Sequence, residues 1–359
     1  MTSHINELNP LGIIEIDHLE FTCDKINTAT KDLFYLLGFE RTFENTGNKS
    51  ELYSQGQVRF LLNANDDELS HSRIYFENHG EGVSKISFLV EDCDHALKTA
   101  EKRGADVIHD VQTVKSEYGT FKISQIQGFG DVLNEFVERP KTYFRPEYYK
   151  VENDRAVKPL INNFTRIDHL TNNVPKGEMD KWVKFYKDIY GCVETRYFDI
   201  KGQKTGLLSK VVQLKNGAII IPINEPDTEG SKSQIQEFLD LHNGAGVQHI
   251  ALFCPDIIST VGDLIDRGLK FLDVPHTYYE DIPRRHLKVT EDLKVLEKLQ
   301  ILVDGDPEGY LLQIFSKTYI GPAFFEFIQR KKHMGFGEGN FQALFDSIER
   351  DQKQRGYIK

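Results

Sequence analysis

Apolar side chains recur with a helical period at two corresponding places along this chain. In the second half the apolar positions are Trp182, Phe185, Tyr186 and Ile189. In the first half they are Ala29, Leu33 and Leu36. Spacings of three and four residues place each set on one face of a helix, and a glycine that can act as a C-cap follows each set, at Gly191 and Gly38. Because a strand-like segment precedes each stripe, the pattern predicts a strand and then a helix in both halves.

A second pair of matching segments indicates an internal repeat. Residues 82–86 (Gly-Val-Ser-Lys-Ile) correspond to residues 246–250 (Gly-Val-Gln-His-Ile). Each segment leads into a helical pattern, over 92–103 and 256–267, and a glycine closes that pattern at the same distance from the motif in both copies. Since a chance match would rarely keep that spacing, we infer that the two halves are duplicates of one structural unit.

Each half predicts two βαβββ units, and the whole chain four, which is an α+β fold. Such units close into a curved mixed sheet, and every second side chain along a strand points into the cavity that the sheet encloses. Prolines at 140, 146 and 159, among many polar residues, mark a connector. We therefore expect one domain over residues 12–145 and a second over residues 160–359.

The end of the chain predicts an amphipathic helix. From Gly339 onwards the apolar positions 341, 344, 345 and 348 keep helical spacing, and Asn340 is a candidate N-cap. We expect this helix to lay its apolar face over the mouth of the second cavity.

Composition excludes several classes of protein. With 39% apolar and 28% charged residues the chain is typical of a globular protein, and a net charge of −11 argues against a nucleic-acid binder. No apolar run is long enough for a membrane span, and the N-terminus lacks the features of a secretory signal. The four cysteines show no C-x-x-C pairing, so we expect a reducing, cytoplasmic location.

The two copies differ at a position that bears on chemistry. Both have Asp-His in the first strand, and both end in Glu-Phe-x-x-Arg, but the second copy has His249 where the first has Lys85. Only the second half can therefore combine His169, His249 and Glu326. Two histidines and one carboxylate with open positions suit non-heme Fe(II). The alternatives are that the histidines are structural, and that Glu326 pairs with Arg330 or faces solvent. In the first half, Glu135 is expected to pair with Lys85.

Neutral polar side chains cluster in sequence around these candidate ligands. They are Ser209, Asn224, Gln234, Gln248 and Gln313. Amide and hydroxyl groups can recognise a phenol or a carboxylate without adding charge. Aromatic residues at 315, 324, 336 and 341 could form apolar walls, although such a group is also typical of an ordinary core.

Several segments of the second half resemble the 4-hydroxyphenylpyruvate dioxygenase family. They are residues 222–226 (PINEP), 232–236 (KSQIQ), 244–249 (GAGVQH), 309–315 (GYLLQIF) and 335–341 (GFGEGNF). The resemblance covers most of residues 160–356 in order, and it extends more loosely over the first half. It implies the vicinal oxygen chelate fold, an Fe(II) cofactor, and conversion of 4-hydroxyphenylpyruvate and O₂ to homogentisate and CO₂ in tyrosine and phenylalanine breakdown.

The resemblance also implies roles for individual residues. The metal ligands would be His169, His249 and Glu326. The catalytic amides, which position the substrate rather than the metal, would be Gln234, Gln248 and Gln313. The remaining substrate-binding residues would be Ser209, Asn224, Phe315, Phe324, Phe336 and Phe341. Gln248 is the exception to the strand pattern, because strict alternation would turn it away from the face of His249.

Two rival functions stay open at this point. A 4-hydroxymandelate synthase uses the same metal site and substrate but hydroxylates the benzylic carbon; Phe341 favours the dioxygenase, because the synthases tend to carry a smaller aliphatic residue there. The fold also occurs in metal-free binding proteins, against which the complete ligand set argues. We also expect a homo-oligomer, either a dimer or a tetramer.

Overall fold

A computed structural model of the chain describes residues 3–26, 28–141, 144–153, 155–201, 205–227, 233–285, 287–335 and 337–358. In these ranges the two halves each form one curved sheet. The first half contains β1 (Ile13–Thr22), α1 (Ala29–Leu36), β2 (Glu40–Asn45), β3 (Ser50–Gln55), β4 (Val58–Asn63), α2 (His71–His79), β5 (Gly82–Val90), α3 (Cys93–Lys102), β6 (Val107–Ser116), β7 (Gly119–Gln127), β8 (Leu133–Glu138) and β9 (Tyr149–Lys150).

The second half repeats this order with one insertion and one extension. It contains β10 (Ile167–Asn173), α4 (Met179–Phe185), β11 (Val193–Lys201), β12 (Gly206–Gln213), β13 (Ile220–Pro226), α5 (Gln234–His242), β14 (Gly246–Phe253), α6 (Ile257–Asp266), α7 (His276–Asp281), α8 (Leu293–Lys298), β15 (Leu302–Gly305), β16 (Tyr310–Phe315), β17 (Phe324–Lys331) and α9 (Glu338–Gln354). Helices α7 and α8 are the insertion, and α9 is the C-terminal extension.

The strand order confirms the four predicted βαβββ units. The first sheet runs β6-β7-β8-β5-β1-β4-β3-β2-β9, and the second runs β11-β12-β13-β10-β14-β17-β16-β15. In each sheet two units meet where their first strands pair antiparallel, β1 with β5 and β10 with β14. Within each unit the first and last strands pair in parallel, as β10 does with β13 and β14 with β17. The second sheet thus places β10, β14 and β17 side by side at its centre.

The helices begin and end for local reasons that the sequence contains. Asp92 and Asp256 cap α3 and α6 by accepting hydrogen bonds from backbone N–H groups one turn later. The predicted helix over Trp182 to Ile189 forms as α4 followed by a π-helical turn, Tyr186–Tyr190, and Gly191 ends it with a left-handed φ of 76°. None of the described helices combines the length and the hydropathy that a membrane crossing requires.

The C-terminal helix forms where it was predicted, but its start was assigned wrongly. Helix α9 begins at Glu338, its N-cap is Gly337 with a φ of 69°, and no side chain caps it. Asn340 is therefore not the N-cap. It lies inside the first turn and is fully buried, because its amide takes part in tertiary hydrogen bonds instead.

Both halves carry irregularities at the same two places in the central strand pair. In the second half the register of β10 against β14 shifts at Asp168 and again at Gln248. In the first half, β1 against β5 shifts at Asp17 and at Ser84. A bulge inserts an extra residue and changes the direction of the neighbouring side chains. The residue next to each shift is the histidine, or its counterpart, that the repeat singled out.

Candidate metal centre

Three adjacent strands bring His169, His249 and Glu326 together. His169 in β10 lies opposite Ala251 in β14, and Ala251 lies opposite Glu326 in β17, so the first and third side chains share one row across the sheet. His249 in β14 is two residues from that row. Ligand atoms of the three side chains all lie within 4.8 Å of one another, and all three residues are buried.

The atoms that converge are specific ones. The Nε2 atom of His169 lies 3.1 Å from Oε2 of Glu326, and the Nε2 atom of His249 lies 3.4 Å from that same oxygen. Burial opposes ionisation of Glu326, but the charge on His169 outweighs it and lowers the carboxyl pKa to about 2. Burial alone would lower the pKa of His169, yet Glu326 and Asp168 raise it to about 9. Burial lowers the pKa of His249. The carboxylate of Glu326 and the ring of His169 therefore each favour the charged form of the other.

Neighbouring side chains fix the orientation of both imidazoles. Asp168 Oδ2 lies 3.0 Å from Nδ1 of His169, and Arg330 holds the Asp168 carboxylate through two nitrogens at 2.6 and 3.0 Å. The Oε1 atom of Gln248 lies 3.2 Å from Nδ1 of His249. In both rings a neighbouring side chain lies within hydrogen-bonding distance of Nδ1, and the Nε2 atom faces Glu326. Such partners set the tautomer of metal-binding histidines.

This arrangement fits a divalent metal. Two neutral imidazoles and one carboxylate form a donor set that iron and other first-row metals accept, with positions left for further ligands. The alternative that Glu326 pairs with Arg330 or faces solvent is wrong, because Glu326 is 1% exposed and Arg330 pairs with Asp168. The hydroxyl of Thr171 lies 2.9 Å from Nε2 of His249.

A cavity adjoins the three candidate ligands. Its wall consists of His169, Thr171, Phe198, Ser209, Val211, Pro222, Asn224, His249, Gln313, Phe315, Glu326, Phe341 and Leu344. Within the described part of the chain, Oγ of Ser209 and Oδ1 of Asn224 are buried and have no hydrogen-bond partner. Since buried polar atoms are nearly always paired, these two mark a place where a ligand could bind. Two residues of α9, Phe341 and Leu344, close one side, as predicted for that helix.

The structure places the described pocket residues in two groups. The first group lines the cavity and comprises Ser209, Asn224, Gln313, Phe315 and Phe341. The second group lies in a neighbouring groove beside α5 and comprises Gln234, Gln248 and Phe324. Phe324 also stacks on the ring of His249, with 4.9 Å between centroids. Phe336 lies outside the described residues. Neighbouring side chains on a regular strand point to opposite faces of the sheet. The bulge at Gln248 explains why its side chain nevertheless contacts His249.

Several contacts around the site were not predicted from the sequence. Gln313 donates a 2.8 Å hydrogen bond from Nε2 to Oε1 of Glu326, so it contacts a candidate ligand directly as well as the cavity. The pairing of Asp168 with Arg330 was also missed, although the signal was present. Each half has an Asp before its histidine and an Arg after its glutamate, and in the first half Asp17 pairs with Arg139 in the same way. Phe198 and Leu344 gave no signal apart from their apolar spacing.

The equivalent place in the first half is filled by protein cations. Lys85, the counterpart of His249, lies 2.9 Å from Oε2 of Glu20 and 3.9 Å from Oε2 of Glu135. The predicted pairing of Glu135 with Lys85 therefore occurs, but at long range. Nη2 of Arg145 forms an ion pair with Oε1 of Glu135 and lies 3.3 Å from Nε2 of His18. A guanidinium thus bridges the counterparts of two ligands.

A curved sheet built from paired βαβββ units, with two histidines and a carboxylate at its centre, defines the class: a metal-dependent enzyme of the vicinal oxygen chelate superfamily. Residues 166–314 match the Glyoxalase/Bleomycin resistance protein/Dioxygenase superfamily, and residues 8–151 match the family described as hydroxyphenylpyruvate dioxygenase, N-terminal.

Comparison with individual proteins identifies the family within this superfamily. The chain is 42% identical to hemolysin VllY of Vibrio vulnificus, over 99% of both chains. It is 38% identical to 4-hydroxyphenylpyruvate dioxygenase of Pseudomonas aeruginosa, over 99% of this chain and 98% of the other. A solved structure of a 4-hydroxymandelate synthase variant from Streptomyces coelicolor superimposes with a TM-score of 0.82 at 25% identity, covering 95% of this chain and 99% of the other. The chain belongs to the 4-hydroxyphenylpyruvate dioxygenase family.

Proposed function

We propose that this enzyme is an Fe(II)-dependent dioxygenase that converts 4-hydroxyphenylpyruvate and O₂ to homogentisate and CO₂. The observation that carries the proposal is the convergence of His169, His249 and Glu326 on one wall of a largely apolar cavity. The curated relatives of that name, which match nearly the whole chain, support the substrate. The proposal includes iron as the metal, because the donor set suits Fe(II) and the reaction requires activation of O₂.

His169, His249 and Glu326 would hold the iron. When bound, it would supply a Lewis-acidic, redox-active centre beside the substrate cavity. The protein's own side chains orient the candidate ligands. Asp168 and Gln248 keep the two imidazoles turned so that Nε2 faces the metal position. Oε1 of Glu326 is held by Gln313, which leaves Oε2 for the metal.

The cavity would orient the aromatic end of the substrate and exclude water. Ser209 and Asn224 offer buried polar atoms whose hydrogen bonds the substrate could complete. Phe315 and Phe341 supply apolar walls, and exclusion of water protects a reactive oxidant from side reactions. Gln234 and Gln248, in the groove beside α5, are proposed to contact the substrate or its entry path, because Phe324 borders that groove and stacks on His249.

The main rival is a 4-hydroxymandelate synthase, and a solved variant of that enzyme shares the fold. Both reactions would start from the same bound substrate, so the product alone distinguishes them. Phe341 favours the dioxygenase, since its ring reaches the cavity wall and packs edge-on against Phe198 at 5.5 Å, which fills space that a smaller side chain would leave. The metal-free binding protein is disfavoured by the complete ligand set.

The test is incubation of the purified chain with Fe(II), ascorbate, O₂ and 4-hydroxyphenylpyruvate, with product analysis by chromatography and mass spectrometry. We expect homogentisate. His249→Ala should abolish both bound iron and turnover, whereas His18→Ala, at the corresponding place in the first half, should keep one iron per chain. Mandelate as the main product, or iron loss in the His18 variant, would refute the assignment. The homo-oligomer and the cytoplasmic location stay predictions, which size-exclusion chromatography and cell fractionation test.

A further inference from the structure

A line of buried hydrogen bonds joins the first turn of α9 to the candidate metal ligand Glu326. Oε1 of Glu326 accepts from Nε2 of Gln313 at 2.8 Å, and Oε1 of Gln313 accepts from Nδ2 of Asn340 at 2.8 Å. Oδ1 of Asn340 accepts from the hydroxyl of Tyr278, which also lies within hydrogen-bonding distance of both backbone polar groups of Val303. Gln313, Asn340 and Glu326 are each 3% exposed or less.

The chemistry of the groups sets the direction of this line. An ionised carboxylate can only accept hydrogen bonds, so the NH₂ group of Gln313 must face Glu326 and its carbonyl must face Asn340. The NH₂ group of Asn340 therefore faces Gln313, which leaves its carbonyl for Tyr278. Burial raises the pKa of Tyr278 to about 12, so this hydroxyl keeps its hydrogen at neutral pH.

The backbone at the start of α9 is shaped to this contact. Gly337 has a φ of 69°, and a Cβ at this position would lie only 2.4 Å from Oε1 of Gln313. The glycine thus allows the turn to approach the amide closely. The next residue after Asn340 is Phe341, which lines the cavity. One helical turn therefore borders the cavity and contacts the amide that holds Glu326.

We infer that Asn340 is a positioning residue that makes the orientation of the Glu326 carboxylate depend on the docking of α9. When the helix is docked, Asn340 holds the Gln313 amide with its NH₂ group on Oε1 of Glu326, and Oε2 is left facing both histidines. When the helix moves away, Gln313 loses that donor and the carboxylate is held less firmly. Closure of the cavity and readiness of the metal site are then one event. The inference rests on the proposed metal ligation by Glu326.

The test uses Co(II) as a probe, because it binds the same kind of donor set and its visible spectrum reports ligand geometry. Asn340→Asp places a carboxylate against the Gln313 carbonyl and repels it. We expect roughly tenfold to hundredfold weaker Co(II) binding, measured by competition with a chelator, and an altered visible spectrum. The control is Gln342→Ala in the same turn, whose amide bonds Lys201 and Asp346 instead; affinity and spectrum should not change.

A double-mutant cycle shows whether the effect passes through Gln313. In a Gln313→Leu background, where the line is already broken, Asn340→Asp should change Co(II) affinity by less than about threefold. If the buried Asp prevents folding, Asn340→Ala replaces it, with about tenfold weaker binding expected. Equal Co(II) affinity and spectra in the unmodified chain and the Asn340 variant, or a full effect without Gln313, overturn the role of Asn340 alone. A chain that binds no Co(II), or a His249→Ala variant that binds it equally well, overturns the proposed metal site and this role with it.

Discussion

Arg145 should be a main source of stability in the first half, because it neutralises a buried carboxylate. Glu135 is fully buried, and burial would raise its pKa, but Arg145 and then Lys85 outweigh that effect and lower the pKa to about 2. The change Arg145→Met keeps most of the side-chain volume and removes the charge. Glu135 would keep hydrogen bonds from Gln125 and Ser87, each at 2.8 Å, and the distant ammonium of Lys85.

The magnitude follows from these remaining partners. Removing one member of a buried ion pair costs about 3–5 kcal/mol, and we expect the low end, about 3 kcal/mol, because three partners stay. For a unit of this size that corresponds to a drop in the melting temperature of roughly 6–12 °C. Differential scanning calorimetry and circular dichroism measure it. Arg284→Met removes an exposed pair with Asp281 and is the matched control, for which the loss should stay below about 1 kcal/mol.

The double variant Arg145→Met with Glu135→Gln decides whether charge is the cause. Since it removes both charges of the pair, it should be more stable than Arg145→Met alone, and the coupling should reach at least about 1.5 kcal/mol. If the single variant loses less than about 1 kcal/mol, or if the double variant is no more stable than the single one, Arg145 does not act by compensating Glu135.

Three further predictions concern the cavity and the contact between the halves. Phe341→Ile should divert part of the product from homogentisate to 4-hydroxymandelate, as chromatography would show; unchanged product at an undiminished rate would mean that Phe341 does not contact the substrate. Ser209→Ala should leave the melting temperature unchanged, since its Oγ has no partner within the described residues, but raise the KM by roughly two- to tenfold through a lost substrate contact. Burial first, and then the nearby His79, lower the pKa of His242 to about 4, while Asp131 opposes this. Neutral His242 therefore contributes its full stability above its ordinary pKa of about 6.5. This contribution, on the order of 3 kcal/mol in total, is lost as the pH falls to about 4. In the His242→Asn variant, the free energy of unfolding should depend less on pH over that range.

The sequence sufficed for the elements that depend on local pattern and on repetition. The helix ends at Gly191 and Gly268 followed from spacing. The meeting of His169, His249 and Glu326 followed from the repeat, because a duplicated unit shows which positions differ between its copies. The two bulges at Asp168 and Gln248 could not be foreseen, since a register shift exists only between two paired strands. For that reason the direction of Gln248 could not be settled from alternation alone.

The errors arose where a tertiary contact outweighed a local preference. Asn340 stands where an N-cap is favoured, but a cap on a partly exposed helix end contributes about 1 kcal/mol, and the buried bonds to Gln313 and Tyr278 outweigh it. Arg145 lies among the prolines that mark the connector, and the sequence analysis assigned it no role. Its contact with Glu135 joins the connector to a strand, and no periodicity reports such a pairing.

The two halves show one physical requirement met in two ways. In each half a strand places a fully buried glutamate beside the histidine of an Asp-His pair, and a buried carboxylate must be paired or bound to a cation. In the first half the cations are Lys85 and Arg145, held permanently by the chain, so the site is closed to other ligands. In the second half histidine replaces the lysine, and no protein cation among the described residues touches Glu326 apart from the histidines themselves. A carboxylate left in that condition favours an external cation, so the lack, among the described residues, of counterparts to both Lys85 and Arg145 beside Glu326 supports the proposed metal site.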